Sequence, residues 1–258
     1  MEQVLYKGIQ VNVGRYGEGH TLVLLHGFLE SSSIWNPFID QLSQFRQVIV
    51  PDLPGHGKTA CFAEVHTMEE MAGMVNAILE KWDVQKCEII GHSMGGYVSL
   101  AFLELFPSKV TSLTLLNSTP LPDNAEKRSV RERSVELVRQ NKEAYVRMAI
   151  SNLFSPRNRV RYSSEGAMLV QEALKFPMEG ITAAIEGMKI RTNRKPVLQR
   201  FRGDKMLLAG REDSLIPFLT IKEIARDTGC EFHGLSGGHL SYIEAKDEIT
   251  NLCISSKK

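Results

Sequence analysis

Gly91-His92-Ser93-Met94-Gly95-Gly96 follows the apolar run Cys87-Glu88-Ile89-Ile90 and leads into a helix-like stretch from Tyr97 to Phe106. A Gly-x-Ser-x-Gly turn between a strand and a helix is a nucleophile elbow. The turn is so tight that the serine backbone is strained and its Oγ stands clear of the sheet. Gly91 and Gly95 sit two residues either side of Ser93, where a Cβ would collide as strand and helix converge. Five residues alone are a weak signal, because glycine and serine are common. The flanking strand and helix supply the context that the chemistry requires.

A serine hydroxyl is a poor nucleophile until a base takes its proton, so the elbow demands a histidine and, behind it, a carboxylate. In this arrangement they follow in the order Ser, then Asp or Glu, then His. Lys205-Met206-Leu207-Leu208-Ala209-Gly210 reads as a buried strand with Arg211-Glu212-Asp213 just past its end. Cys230-Glu231-Phe232-His233-Gly234-Leu235 reads as another strand, followed by Ser236-Gly237-Gly238-His239. Both candidates leave the carboxyl ends of strands, where open α/β sheets place their sites. The expected roles are Ser93 as nucleophile, His239 as general base and then acid, and Asp213 as the group that orients His239. Glu212 stays open as the alternative carboxylate. His233 is the rival base, but it falls inside a strand, and His92 is expected to point away from the attack site and pack or hydrogen-bond.

A tetrahedral intermediate also needs donors for its oxyanion, normally two backbone N–H groups. Met94, the residue after the nucleophile, is one; the other is expected from a loop after an earlier strand. Thr21-Leu22-Val23-Leu24-Leu25 reads as that strand and His26-Gly27-Phe28 as the loop, with the Phe28 N–H as second donor. The side chains of Phe28 and Met94 are then expected to line the pocket. The His26 ring is expected to hold neighbouring loops together.

Taken together, these segments resemble the α/β-hydrolase superfamily. The likeness rests on His26-Gly27-Phe28, Asp52-Leu53-Pro54-Gly55-His56-Gly57, the Gly91–Gly96 elbow, and the Asp213 and His239 loops. It implies a mostly parallel central sheet with helices on both faces and an inserted helical cap. It also implies that Asp52 and His56 stabilise their loop. Activity is a looser inference, because one fold hosts many chemistries. The expected function is a serine hydrolase that cleaves small to medium carboxylic esters through an acyl-enzyme on Ser93, with no metal and no organic cofactor. Lactonases, perhydrolases and carbon–carbon bond hydrolases use the same triad and stay open. Ser93 excludes the aspartate-nucleophile relatives that open epoxides or remove halide. A retro-aldol-like lyase relative tends to carry arginine after the elbow glycines, where this chain has Tyr97. From another class, a ligand-binding receptor or scaffold retaining the triad is the alternative.

The chain has 258 residues, enough for one large α/β domain with a substantial core. No run approaches the roughly 18 apolar residues of a membrane span. The N-terminal Met1-Glu2-Gln3-Val4-Leu5-Tyr6 lacks a basic start and an apolar h-region, which predicts no secretory signal. Cys61, Cys87, Cys230 and Cys253 form no C-x-x-C pair, and two of them fall on expected strands, which favours buried free thiols. A cytoplasmic enzyme acting on a small-molecule ester follows, with oligomeric state open.

Val4–Arg15 reads as two short strands joined near Lys7-Gly8, and 31–45 as helical. Thr67-Met68-Glu69-Glu70 opens a helix with a capping box and runs towards Trp82. Val110–Asn117 reads as a strand. Core segments 1–120 and 203–258 then flank a helical cap over 121–202, interrupted at Pro156, Pro177 and Pro196. The cap holds 17 Lys+Arg against 9 Asp+Glu, a balance of +8, while the rest of the chain holds 14 against 21. Solvated helix faces with i, i+4 pairs account for such a bias, and steering of anionic substrates is the functional alternative. With the charge confined to the cap and no recognition motif, nucleic-acid binding is not expected. Tyr145, Met148, Leu153, Phe154, Met168 and Met188 are the cap residues from which a pocket wall is drawn.

Overall fold

The computed structural model describes residues 2–255. Eight strands form one sheet in the order β1-β2-β4-β3-β5-β6-β7-β8. They are β1 (Glu2–Tyr6), β2 (Ile9–Tyr16), β3 (Thr21–Leu25), β4 (Gln47–Pro51), β5 (Cys87–His92), β6 (Val110–Leu116), β7 (Asp204–Gly210) and β8 (Glu231–Leu235). The first hairpin turns at Lys7-Gly8, and β2 pairs antiparallel with both β1 and β4. From β4 to β8 all pairing is parallel. β3 and β5 are buried along their whole length. That is why they read as continuous apolar runs, as strands covered on both faces do.

The helices are α1 (Asn36–Leu42), α2 (Met68–Lys81), α3 (Met94–Leu105), α4 (Ala125–Gln140), α5 (Lys142–Ser151), α6 (Ser163–Ala173), α7 (Met178–Lys189), α8 (Lys195–Arg200), α9 (Phe218–Thr228), α10 (Ser241–Glu244) and α11 (Lys246–Ser255). The period-2 geometry of the strands divides the core. Val23 and Leu25 join the α2, α3 and α9 side chains on one face, and Leu22 and Leu24 meet α1 and α11 on the other. The α2 capping box is present: Glu70 N donates to Thr67 Oγ1 at 3.1 Å and the Glu70 carboxylate accepts from Thr67 N at 3.4 Å. The 31–45 segment is more broken than expected, a 3-10 turn over Ser32–Trp35 before α1, with Pro37 setting the helix start. Cys230 lies one residue before β8 rather than within it.

Every element between β6 and β7 is a helix, from α4 to α8. Pro177 caps α7 and Pro196 sits in the first turn of α8, among the positions whose amide hydrogens would find no intrahelical acceptor. α8 packs on α3 and α9, so it belongs to the layer beside the sheet, whereas α4 pairs with α5 and α7. All four cysteines are free thiols. Among the described residues no helix is long and apolar enough to cross a membrane.

Candidate active site

The carboxyl ends of β5, β6, β7 and β8 bring four loops together. Ser93 leaves β5 with φ 50° and ψ −112°, a conformation L-residues rarely adopt. A Cβ on Gly91 would run into the Gly95 carbonyl and Ser99 Oγ, and one on Gly95 into the Leu25 carbonyl. Only glycine lets α3 start this close to β3 and β5.

His239 Nε2 lies 2.8 Å from Ser93 Oγ, and His239 Nδ1 lies 2.8 Å from Asp213 Oδ2. A carboxylate only accepts, so Nδ1 carries the proton and Nε2 accepts from the serine hydroxyl. Asp213 Oδ1 accepts from the Leu215 and Ile216 amides at 2.8 and 2.9 Å, and Oδ2 accepts from Asn117 Nδ2 at 2.9 Å. Burial would raise the Asp213 carboxyl, but the His239 ring and these donors outweigh it and hold the group below its ordinary 3.8. Glu212 is exposed, and His233 pairs with Glu231 at 2.6 Å on the outer strand.

The Met94 N–H heads α3 in the first helical turn, where amides lack intrahelical acceptors. Phe28 lines the cavity above Ser93. Met94 corrects the expectation for its side chain, which is fully buried in the core with Val98 and Leu25. The elbow turns the residue after the nucleophile into a helix start, so its side chain drops beneath the turn.

His26 and Asp52 tie neighbouring loops together. His26 Nε2 accepts from Leu53 N at 2.9 Å, so its Nδ1 carries hydrogen and donates to Gly27 O at 2.8 Å. Asp52 accepts from Ser32 N, Lys58 N and Asn12 Nδ2. His56, enclosed between Phe28 and Phe176, is pushed down to about 3 by burial and by neighbouring His26.

Sequence reasoning missed Glu30 and Asn117. Glu30 is 2 % exposed and lies 2.9 Å from His92 Nδ1, while His92 Nε2 donates to the His239 carbonyl at 3.0 Å. Glu30 also accepts from Gly27 N and from the Tyr242 hydroxyl. A carbonyl cannot donate, so His92 Nε2 bears hydrogen, and Nδ1 shares a hydrogen bond with the Glu30 carboxyl. Burial opposes charge on both groups, yet their attraction outweighs it: His92 is raised above its ordinary 6.5 and Glu30 held below 4.5. Glu30 is hard to find in a sequence because its partners His92 and Tyr242 lie 62 and 212 residues away, and the preceding Leu29 turns through φ 61°, which no local pattern requires. Asn117 carries a weak signal, an asparagine at a strand end in left-handed backbone at φ 46°.

This pair makes a pH-dependent contribution to stability. Glu30, held low, contributes above about 4.5 and loses that as pH falls through its folded value. His92, held high, contributes fully below 6.5 and loses it as pH rises through its folded value. Glu30→Gln is expected to cost about 3–5 kcal/mol near pH 6, the range for breaking a buried pair. Its melting temperature should also fall less than the wild type's between pH 6 and 9. Parallel melting curves across that range would contradict the charged assignment.

A cavity of about 390 Å³ opens over Ser93, at the small end of the range for ligand pockets. α4, α5 and α7 roof it, and Tyr145, Met148, Leu153 and Met188 face it. Phe154 instead stacks on Tyr162, and Met168 is exposed on the surface. A larger opening of about 690 Å³ lies at the amino ends of β5–β8 and contains none of Ser93, Asp213 and His239.

Residues 20–156, just over half of the chain, match the alpha/beta hydrolase fold family, and the chain belongs to it. It is 29% identical over 250 residues to the dihydrolipoyllysine-residue acetyltransferase component of an acetoin cleaving system from Pseudomonas putida; the match covers 90% of this chain and 62% of that protein. It is 28% identical over 229 residues to a 2-hydroxy-6-oxo-2,4-heptadienoate hydrolase of Pseudomonas putida, covering 84% and 80% of the two chains. The solved structure of a thermophilic esterase from Thermogutta terrifontis superposes with a TM-score of 0.91 at 27% identity, covering 98% of this chain and 96% of that one.

Proposed function

We propose that the protein is a serine hydrolase that cleaves small to medium carboxylic esters through an acyl-enzyme on Ser93. The observation that carries this reading is the continuous relay from Ser93 Oγ through His239 to Asp213, both links at 2.8 Å. Ser93 Oγ attacks the ester carbonyl while His239 Nε2 takes its proton, and Asp213 holds the ring in the required tautomer. The Phe28 and Met94 amides stabilise the oxyanion. The imidazolium then protonates the leaving alkoxide, and a water activated by the same nitrogen releases the acid and frees Ser93. The steps use no metal or organic cofactor. α4, α5 and α7 act as a cap over the cavity, limiting both substrate size and water.

The likeness to a Thermogutta esterase supports the ester reading. The likeness to a hydrolase acting on 2-hydroxy-6-oxo-2,4-heptadienoate favours carbon–carbon cleavage on the same triad as the second reading. p-Nitrophenyl acetate, butyrate and octanoate separate the possibilities. Multiple turnover with preference for the shorter chains, and labelling of Ser93 by a fluorophosphonate located by peptide mass, are expected. A single slow burst without turnover would point to a receptor. Absence of both turnover and label would overturn the hydrolase reading.

A further inference from the structure

The cap's surplus of positive charge is not spread evenly over solvated faces. Lys127, Arg131 and Ser134 fall at i, i+4 and i+7 on α4, one helical stripe, and all three line the cavity above Ser93. Asp123, from the loop before α4, lines the same wall and is 1 % exposed. Its carboxylate pairs with Arg131 Nε and, at 2.8 Å, with Arg191 Nη2. Arg191 also lies 4.1 Å from the centre of the Tyr97 ring beside the elbow.

This wall therefore presents Lys127 and Arg131 beside one carboxylate, Asp123, which the buried Arg191 behind it already pairs with. The other acids near the cavity are committed: Glu30 to His92, Tyr242 and Gly27, and Asp213 to His239, Asn117 and two backbone amides. Lys127 Nζ donates to the Leu215 carbonyl at 3.2 Å and, among the described residues, pairs with no carboxylate. Arg131 uses its Nε on Asp123, and its two Nη groups make no hydrogen bond among the described residues. Lys127 is exposed at the cavity edge; partial burial of its ammonium and the Arg191 and Arg131 charges lower it below its ordinary 10.5, against the pull of Asp123 and Asp213. Partly desolvated, mutually repelling cations are an arrangement that an incoming anion relieves. A guanidinium with two open Nη groups fits the fork geometry of a carboxylate.

We propose that the Lys127–Arg131 wall binds a carboxylate carried by the ester substrate, remote from the carbonyl that Ser93 attacks. The proposal rests on the serine-hydrolase reading and narrows it to anionic esters with a short apolar span against Val130, Met148 and Met188. The carboxylate belongs to either the acyl or the alcohol part.

Three esters of matched shape separate the two: ethyl butanoate is neutral, monoethyl succinate carries the charge on the acyl part, and butanoyloxyacetate carries it on the alcohol. In a pH-stat at low salt, one anionic ester is expected to exceed ethyl butanoate in kcat/KM at least about tenfold. The preference should shrink as salt rises. In Lys127→Met and in Arg131→Met the ratio is expected to fall towards one, and in Lys127→Glu below one. Because both substrates meet the same folded fraction, the ratio is insensitive to partial unfolding of a variant. A wild-type ratio at or below one, or one unchanged in Lys127→Met, would overturn the proposal. If none of the three esters turns over, binding decides the charge question, and the hydrolase reading is judged separately by the p-nitrophenyl esters and the Ser93 label. Glutarate should then bind at least about tenfold more tightly than glutaramide by calorimetry, and lose that advantage in Lys127→Met; equal binding, or none, sinks the carboxylate site.

Discussion

Ser93→Ala is expected to lower kcat/KM on a p-nitrophenyl ester by roughly 10⁵-fold, with the protein still folded. The alanine keeps the Cβ and the strained backbone, and removes only the oxygen that lies 2.8 Å from His239 Nε2. The residual rate expected is the part that binding and the proposed Phe28 and Met94 oxyanion donors would supply. Ser93→Gly makes a sharper pair with it. At φ 50° and ψ −112° the serine backbone is strained, and glycine relieves that strain. Ser93→Gly should therefore be as inactive as Ser93→Ala yet more stable than it by about 1 kcal/mol. Measured by denaturant unfolding beside the esterase assay, this separates the cost of holding the nucleophile from its chemical use. Substantial activity in either variant would remove Ser93 from the mechanism.

Much of the architecture was legible because the fold's parallel strands are covered on both faces. Leu22–Leu25 and Glu88–Ile90 could be read as strands from composition alone, and the prolines at 177 and 196 fall where helices begin. The elbow was legible because steric crowding leaves glycine as the only residue for positions 91 and 95. Asp213 and His239 could be singled out because both follow strands and the order is constrained. What lay hidden depends on long-range contact. Glu30 and His92 are 62 residues apart, and nothing local says that a glutamate after His26-Gly27-Phe28-Leu29 is buried. The split of the 121–202 segment between cap and sheet layer was hidden too, since α8 differs from its neighbours in what it packs against rather than in its pattern. The cap's charge could be counted but not oriented. Only the placement of α4 over Ser93 separates Lys127 and Arg131 from arginines such as Arg139, paired with Glu136 at the surface.

Those long-range contacts bear directly on how well His239 is held. Its backbone carbonyl accepts from His92 Nε2, and its amide donates to Leu153 O from the segment after α5. On the ring, the Nδ1 side is held by Asp213, so Asp213→Asn is the variant with the next largest expected effect, about 10⁴-fold in kcat. Asp213 Oδ1 accepts from two amides, which fixes the oxygen of an introduced asparagine on that side. The new Nδ2 then faces His239 Nδ1 as a donor and drives the hydrogen to Nε2, leaving no lone pair for the Ser93 proton. It also faces Asn117 Nδ2, donor against donor. Asn117 could turn its amide to accept, since its Oδ1 has no partner among the described residues, but it would give up its bond to Gly238 O. Neither adjustment restores the tautomer. The loss should therefore appear in kcat with KM changed little, and Asp213→Glu should not recover it, because the longer chain displaces both amide contacts. Near-wild-type kcat in Asp213→Asn would show that His239 is oriented by its backbone contacts instead, and would transfer the positioning role to the Glu30–His92 pair beneath it.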